Sequence, residues 1–406
     1  MRGPTQSSMT APRLRSLDSI VVPEGASRVV VLRDTEGIAP GPVTLSLEAA
    51  RIASRFDGRR SLERVAREAA VDVAWVEQLV AELDAALLLD TPAFRARRAE
   101  VVRAFGAAKT RPAAHAGGAY DDDPVALRRY IDRACLGAAP ARARPGKLRG
   151  LIAPHMDLWR AAVGYGHAYR AVADGLADEV DTFFLLGTSH AAMARPFAVC
   201  DKAFDTPLGA LEPDSAAIDE LARASHFDVH ADAYLHKGEH SLEFQAVFLA
   251  HALGGRRARI VPVLCGLGEV QLTRRDPARD AAAESFLEAL GDLARRYGDR
   301  AVVVAGADLA HVGPRFGDPR PLDPRARRAL ADTDGASIDR VVEGDARGFF
   351  HDVTADLHVR RVCGVGPVYT ALRALGGTAG ELLHYDQCVD PQEGSVVTHA
   401  SIAFWR

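Results

Sequence analysis

From Leu148 onward the chain alternates two kinds of segment, and that alternation restricts its fold more than any other feature. Leu148 to Pro154, Thr182 to Gly187, Arg259 to Gly266 and Ala301 to Gly306 are short apolar runs. Between them lie stretches of helical character such as Ala161 to Gly175, Asp214 to Ala224, His240 to Leu253 and Ala281 to Tyr297. An apolar run too short for a helix and bounded by polar or Gly/Pro residues reads as a buried strand. Strands and helices in alternation predict an α/β fold, with a mainly parallel central sheet flanked by helices. Glu381 to Gln387 and Ser395 to Phe404 read as two later strands, joined through the turn Pro391-Gln-Glu-Gly394. No internal repeat interrupts this order.

With 406 residues the chain exceeds the size at which one core usually stops growing, so more than one domain is expected. Residues 1–20, rich in Pro, Ser and Arg, read as a disordered tail. Residues 21–106 read as a small helical domain. Val29 to Leu32 is a short strand; Leu45 to Arg55, Ser61 to Ala70 and Val73 to Ala86 are helices, the second capped by Ser61. That plan is winged-helix-like, and Ser54-Arg-Phe-Asp-Gly-Arg-Arg-Ser-Leu62 with Leu83-Asp-Ala-Ala-Leu-Leu-Leu-Asp90 resembles the small PqqD-like peptide-binding modules. Arg95 to Phe105 reads as a connecting helix, and the Pro/Ala/Gly stretch from Ala107 marks the start of a larger domain, 107–406. Asp121-Asp-Asp-Pro124 opens a helix over Val125 to Cys135.

Charge excludes several classes of partner. The net charge is −4 with acids and bases interleaved, which is a solvated surface and not a nucleic-acid footprint. The helix after Asp72 also carries Glu77, Glu82 and Asp84, so phosphate repulsion opposes DNA binding by the small domain. No apolar run is long enough to span a bilayer, and Met1 to Ser19 lacks the apolar centre of a secretory signal, so a cytoplasmic protein is expected. Five widely spaced cysteines without a C-x-x-C pair read as reduced thiols.

The chemistry gathers past the strand ends. Ile152-Ala-Pro-His155 and Leu185-Leu-Gly-Thr-Ser-His190 each place a histidine just beyond a strand, and Val302 to His311 delivers Asp308 and His311 in the same way. In an open α/β sheet ligands bind outside the carboxyl ends of the strands. A lone histidine is usually a hydrogen-bonded core or surface imidazole. Three that share one post-strand position follow metal-site logic. Cys363 precedes Gly364-Val-Gly-Pro367 and a helical run, so it sits before a helix N-terminus, where a thiolate is favoured; a buried inert thiol is the alternative. His236-Lys-Gly-Glu239-His240 matches H-x-x-E-H, the inverted zinc-peptidase signature. Gly238 breaks the helix this motif requires, so a zinc metallopeptidase ranks below the reading in which His240 and Glu243 begin a helix facing the site.

Arg111-Pro-Ala-Ala-His-Ala-Gly117, Ala153-Pro-His155, Leu186-Gly-Thr-Ser-His190, Thr206-Pro-Leu-Gly209, Glu239-His-Ser-Leu-Glu243, Val261-Pro-Val263, Asp308-Leu-Ala-His311 and Cys363-Gly-Val-Gly-Pro367, in this order, resemble the Memo family. Its prokaryotic members are called AmmeMemoRadiSam system protein B. The resemblance covers about residues 110 to 406 and implies a fold similar to the class III LigB-like extradiol dioxygenases. It implies His155, His190 and Cys363 as metal ligands, with His311 as the base and Asp308 and His240 nearby. Fe(II) is the implied cofactor, copper or zinc being the alternatives for a site with a thiolate. The implied function is a non-haem iron redox enzyme or dioxygenase of unknown substrate; a non-enzymatic scaffold that binds a peptide, small molecule or partner is the rival. A radical-SAM protein and an AMMECR-type protein are the implied companions, with no nucleic acid and no membrane. Met156-Asp157-Leu-Trp159-Arg160 and Thr188 depart from the family pattern beside the ligands.

Overall fold

The computed structural model describes residues 11–25, 27–141, 146–267, 275–355 and 357–406, without the side chains of 357 and 358. Two compact units divide the chain, one reaching to Ala107 and including Arg315–Gly317, the other comprising Ala108–Pro314 and Asp318–Arg406.

In the first unit, β1 (Asp18–Glu24), β2 (Ser27–Arg33) and β3 (Val43–Ser46) form an antiparallel sheet in that order. Four helices follow, α1 (Leu47–Ala53), α2 (Leu62–Ala69), α3 (Val73–Ala85) and α4 (Pro92–Ala107). Ser46, Ser61 and Asp72 each accept a backbone N–H of the first turn, which sets where α1, α2 and α3 begin. Leu32, Ile52, Val65, Val76, Leu83 and Leu89 are buried together in its core. Two corrections to the sequence reading arise here. Three strands stand where one was expected, because β1 has no buried residue and its half-buried and exposed positions do not alternate. Disorder does not extend over residues 11–20, since Arg13 bridges to Asp57, Leu14 bridges to Leu89, and β1 starts at Asp18. Residues 1–10 lie outside the described residues. A sheet completed before the helices does not in itself identify a winged helix.

The second unit is built on a nine-stranded mixed sheet. In chain order its strands and main helices, together with the small β4–β8 pair, are β4 (Thr110–Arg111), α5 (Pro124–Tyr130), β5 (Leu148–Ala153), α6 (Ala162–Gly175), β6 (Thr182–Thr188), β7 (Phe197–Val199), β8 (Ala203–Phe204), β9 (Glu212–Pro213), α7 (Ser215–Ala224), α8 (His240–Leu253), β10 (Arg259–Cys265), α9 (Ala281–Tyr297), β11 (Ala301–Gly306), β12 (Asp308–Val312), α10 (Pro324–Val342), α11 (Ala346–Ala355), α12 (Val365–Leu375), β13 (Gly380–Val389) and β14 (Val396–Trp405). The sheet order is β12-β14-β5-β11-β6-β10-β7, with β13 added on β14 and β9 on β10.

β5, β11, β6 and β10 run parallel, and β9 is added parallel on β10. β14 is antiparallel to β5, β12 and β13, and β7 is antiparallel to β10. The expected parallel sheet is present in β5, β11, β6, β10 and β9, while β14 and β7 add antiparallel pairings that make the sheet mixed. The reason is local: β14 reverses direction, pairing with β13 directly as a hairpin and lying antiparallel to β12 and β5, while β7 reverses beside β10. The four central strands are apolar and buried on both faces, as parallel strands under helices must be. Their alignment puts the carboxyl ends of β5, β6 and β11 on one edge.

Candidate metal centre

Each ligand-bearing segment leaves the sheet at that edge. His155 stands two residues beyond β5, His190 two beyond β6 and Asp308 two beyond β11. Helix α8 holds the first two strand ends in place: Gln245 Nε2 donates to the Pro154 carbonyl at 2.8 Å and Ser241 Oγ donates to the Thr188 carbonyl at 2.8 Å. Gly306 permits this grip, because a Cβ there would lie 2.5 Å from the Ser241 carbonyl oxygen. Cys363 reaches the same edge from the start of α12. The Gly364 N–H donates to the Asp308 carbonyl at 3.0 Å, an approach that a Cβ on Gly364, 2.4 Å from that oxygen, would prevent.

His155, His190 and Cys363 form a group whose potential ligand atoms all lie within 4.8 Å of one another. His155 Nε2 is 3.3 Å from Cys363 Sγ, while its Nδ1 faces the Gly306 carbonyl at 2.9 Å. Asp308 receives the His155 backbone N–H at 3.0 Å and approaches the ring at 3.7 Å. On the other side, His190 Nδ1 lies 2.9 Å from Glu239 Oε1, and its backbone N–H donates to Glu239 Oε2 at 2.9 Å. Both imidazoles are therefore fixed through Nδ1, an arrangement that sets the tautomer and frees Nε2. A second group, His190, Glu239 and His240, meets the same spacing; Glu239 already accepts the Ser241 N–H at 3.0 Å as the cap of α8, which gives its carboxylate a structural role.

The electrostatics favour an anionic sulfur. Burial alone would raise the Cys363 thiol, but the His155 and His311 imidazoles outweigh it and hold it down at about 5. Burial opposes charge on His155 too; the Cys363 and Asp308 charges overcome it and raise the imidazole to about 9. Glu239 raises His190 in the same way, against burial. His240 behaves oppositely: burial dominates, with the neighbouring imidazoles adding to it, and brings the ring down to about 3. It stacks on His190 with ring centres 4.6 Å apart. The side chains of His115, His190 and His240 are 29%, 33% and 32% exposed, so the centre opens to solvent past them.

Among the residues singled out in the sequence, His155, His190, Cys363, Asp308 and His240 are brought together. His311 is not in a loop: it belongs to β12, and the register shift between Asp308 and His311 compensates for their odd spacing. Its Nδ1 lies 3.2 Å from the Leu309 carbonyl. Glu243 does not face the centre. It is buried in a network with Arg111 Nη1 and Tyr120 Oη, and it accepts the Ala114 and His115 N–H groups at 3.1 and 2.8 Å. His236 is buried in the 3-10 turn Ala233–Gly238 with Nε2 3.1 Å from the Ala198 carbonyl, and it joins no ligand group among the described residues. The H-x-x-E-H motif thus fails as a helical metal pair. Sequence reasoning missed Ser241, Gln245 and Glu239 as positioning residues. The one signal for them was their spacing of two and four residues at the start of a helix.

The sequence is similar to that of known proteins over most of its length. The sequence model of a family described as Memo-like protein matches residues 111–403. A MEMO1 family protein of Aquifex aeolicus is 28% identical over 403 residues, covering 97% of this chain and 100% of the relative. A MEMO1 family protein of Thermococcus kodakarensis is 31% identical over 267 residues, covering 63% of this chain and 86% of that protein. The protein memo-1 homolog of Caenorhabditis elegans is 31% identical over 211 residues, or 51% of this chain and 54% of the relative.

Proposed function

The chain belongs to the Memo family, and from that premise we propose that His155, His190 and Cys363 hold a metal ion, Fe(II) in the first place, in a non-haem redox centre acting on a small organic molecule. The observation that carries the reading is the donor set: two imidazoles fixed through Nδ1 and a sulfur held as thiolate, all within 4.8 Å. That set fits a first-row transition metal; its sulfur also suits copper(I) or zinc. Bound there with coordination positions left open, Fe(II) would supply one-electron redox and Lewis-acid chemistry.

The chain's own residues divide the remaining work. The Gly306 carbonyl orients His155 and Glu239 orients His190, as carbonyls and carboxylates behind metal-binding imidazoles do, while Asp308 holds the His155 backbone N–H. His311, with Nδ1 against the Leu309 carbonyl, acts electrostatically on Cys363 and is the residue placed to exchange a proton there. His240 stays neutral and serves as a hydrogen-bonding wall. Trp159, 50% exposed and edge-on to Tyr130 at 5.4 Å, lies in the turn after His155.

Anaerobic reconstitution with Fe(II), followed by metal and protein quantitation, tests the reading. One iron per chain is expected in the parent and less than a tenth of that in a His155→Ala/His190→Ala variant. Unchanged stoichiometry in the double variant would sink it.

A further inference from the structure

Strand β14 carries a polar tier that adjoins the centre above through Asp308 and whose histidines that centre does not use. Asp308 on β12 and Asp386 on β13 are both register partners of His399, and directly paired residues share a face of the sheet. His384, two residues before Asp386, lies on that face as well, re-aimed by the irregularity between Leu382 and His384. Helix α6 covers it. Ser401 Oγ donates to the Gly164 carbonyl at 2.7 Å, and His167 stacks on His384 with ring centres 4.7 Å apart. His384 and His399 have ring centres 6.2 Å apart. Gly164 makes the room, since a Cβ there would lie 2.6 Å from His399 Cε1.

His399 is 0% exposed, yet neither of its ring nitrogens has a hydrogen-bond partner among the described residues, and His384 Nε2 is buried in the same condition. Buried polar atoms are almost always paired, and a group of unpaired ones in one place calls for an ion or water that pairs them. Several imidazole nitrogens beside carboxylates favour a cation with affinity for nitrogen.

We propose that His167, His384 and His399, with Asp386 at the rim, form an auxiliary site for a divalent transition metal of the zinc type, separate from the Cys363 centre. The His167–His384 spacing suits it, while the His384–His399 pair, at 6.2 Å, has to draw closer on binding. An ion about 2.0–2.1 Å from each ring nitrogen holds ring centres on the order of 4.5–6 Å apart; the His155–His190 pair, at 5.2 Å, falls in the same range. His167 and His384 are parallel to within 2°, so an ion cannot lie in both ring planes, and one of these half-buried rings turns on binding. Asp308, the register partner of His399, adds negative charge beside that ring, which favours a bound cation. The Asp386 carboxylate, exposed and accepting the Gln387 N–H at 2.7 Å, supplies the fourth ligand.

Titration of the metal-free full chain with Co(II), read by absorption and by bound metal, tests the proposal. Two cobalt ions per chain are expected. One shows a thiolate charge-transfer band and disappears in Cys363→Ser; the other shows only d–d bands, survives Cys363→Ser, and weakens at least tenfold in His384→Gln and in His399→Gln. His384 is half-buried, so its variant reports on the site even if His399→Gln fails to fold, and circular dichroism checks both. A single cobalt per chain that vanishes in Cys363→Ser would overturn the proposal and leave a water-filled pocket. A second cobalt indifferent to His384→Gln and Asp386→Asn would overturn it equally. Neither result bears on the Cys363 centre.

Discussion

At the scale of the residue, Glu243 shows how far identity alone can be read. Its place in Glu239-His-Ser-Leu-Glu243 suggested a side chain facing the centre, yet it ends in a buried cluster with Arg111, His115 and Tyr120. The partners lie more than a hundred residues away, and no local spacing announces them. Burial would raise this carboxyl; the His115, Arg111 and Tyr120 contacts outweigh burial and bring it down to about 2. Removing one partner of a buried pair leaves the other uncompensated, so Glu243→Gln should cost about 3–5 kcal/mol in urea unfolding at neutral pH. The sign of the pH dependence follows. A carboxylate depressed in the folded state contributes stability above its unfolded value of about 4.3, and that contribution fades as pH falls toward 2. The parent should lose stability across that window, and the slope from this group should be missing in the Glu243→Gln variant. By contrast His155, His190 and Cys363 were legible, because each stands at a strand end or a helix start that the local sequence defines.

At the scale of the element, strand ends place the chemistry and α8 fixes them. The apolar runs of β5, β6, β10 and β11 were plain in the sequence because parallel strands buried on both faces admit little else. β12 was not, since Asp308-Leu-Ala-His-Val312 mixes polar and apolar residues and becomes a strand only by pairing with β14. The two-residue strands β4, β8 and β9 are too short to carry a pattern. Gly306 is the point where β11 and α8 meet most closely, its hypothetical Cβ falling 2.5 Å from the Ser241 carbonyl and 2.8 Å from Gln245 Nε2. Gly306→Ala should therefore cost about 1–3 kcal/mol by overpacking, measured by denaturant unfolding. Because Gly306 also receives His155 Nδ1 and adjoins the residues that grip Pro154 and Thr188, iron occupancy should fall in the same variant. Loss of stability with full occupancy would mean that α8 does not position the ligands.

At the scale of the whole molecule, the two units have separate cores: Val65, Val76 and Leu83 belong to one, Phe184, Val263 and Val303 to the other. The second unit holds every residue of the proposed centre and nearly all of residues 111–403 that match the family. The Thermococcus kodakarensis relative has 86% of its length matched by 63% of this chain, so it carries little beyond such a unit. A chain starting at Ala108 should unfold cooperatively and bind one Fe(II) with an affinity within about threefold of the full chain, a difference under 1 kcal/mol; failure to bind would give the first unit a part in the centre. The ligation itself is the central claim, and X-ray absorption of the iron-loaded full chain tests it most directly. The account predicts one sulfur at about 2.3 Å, by analogy with zinc–thiolate distances, together with nitrogen and oxygen scatterers, and loss of that sulfur in Cys363→Ser. An iron site surrounded by nitrogen and oxygen alone, the same in parent and variant, would contradict it.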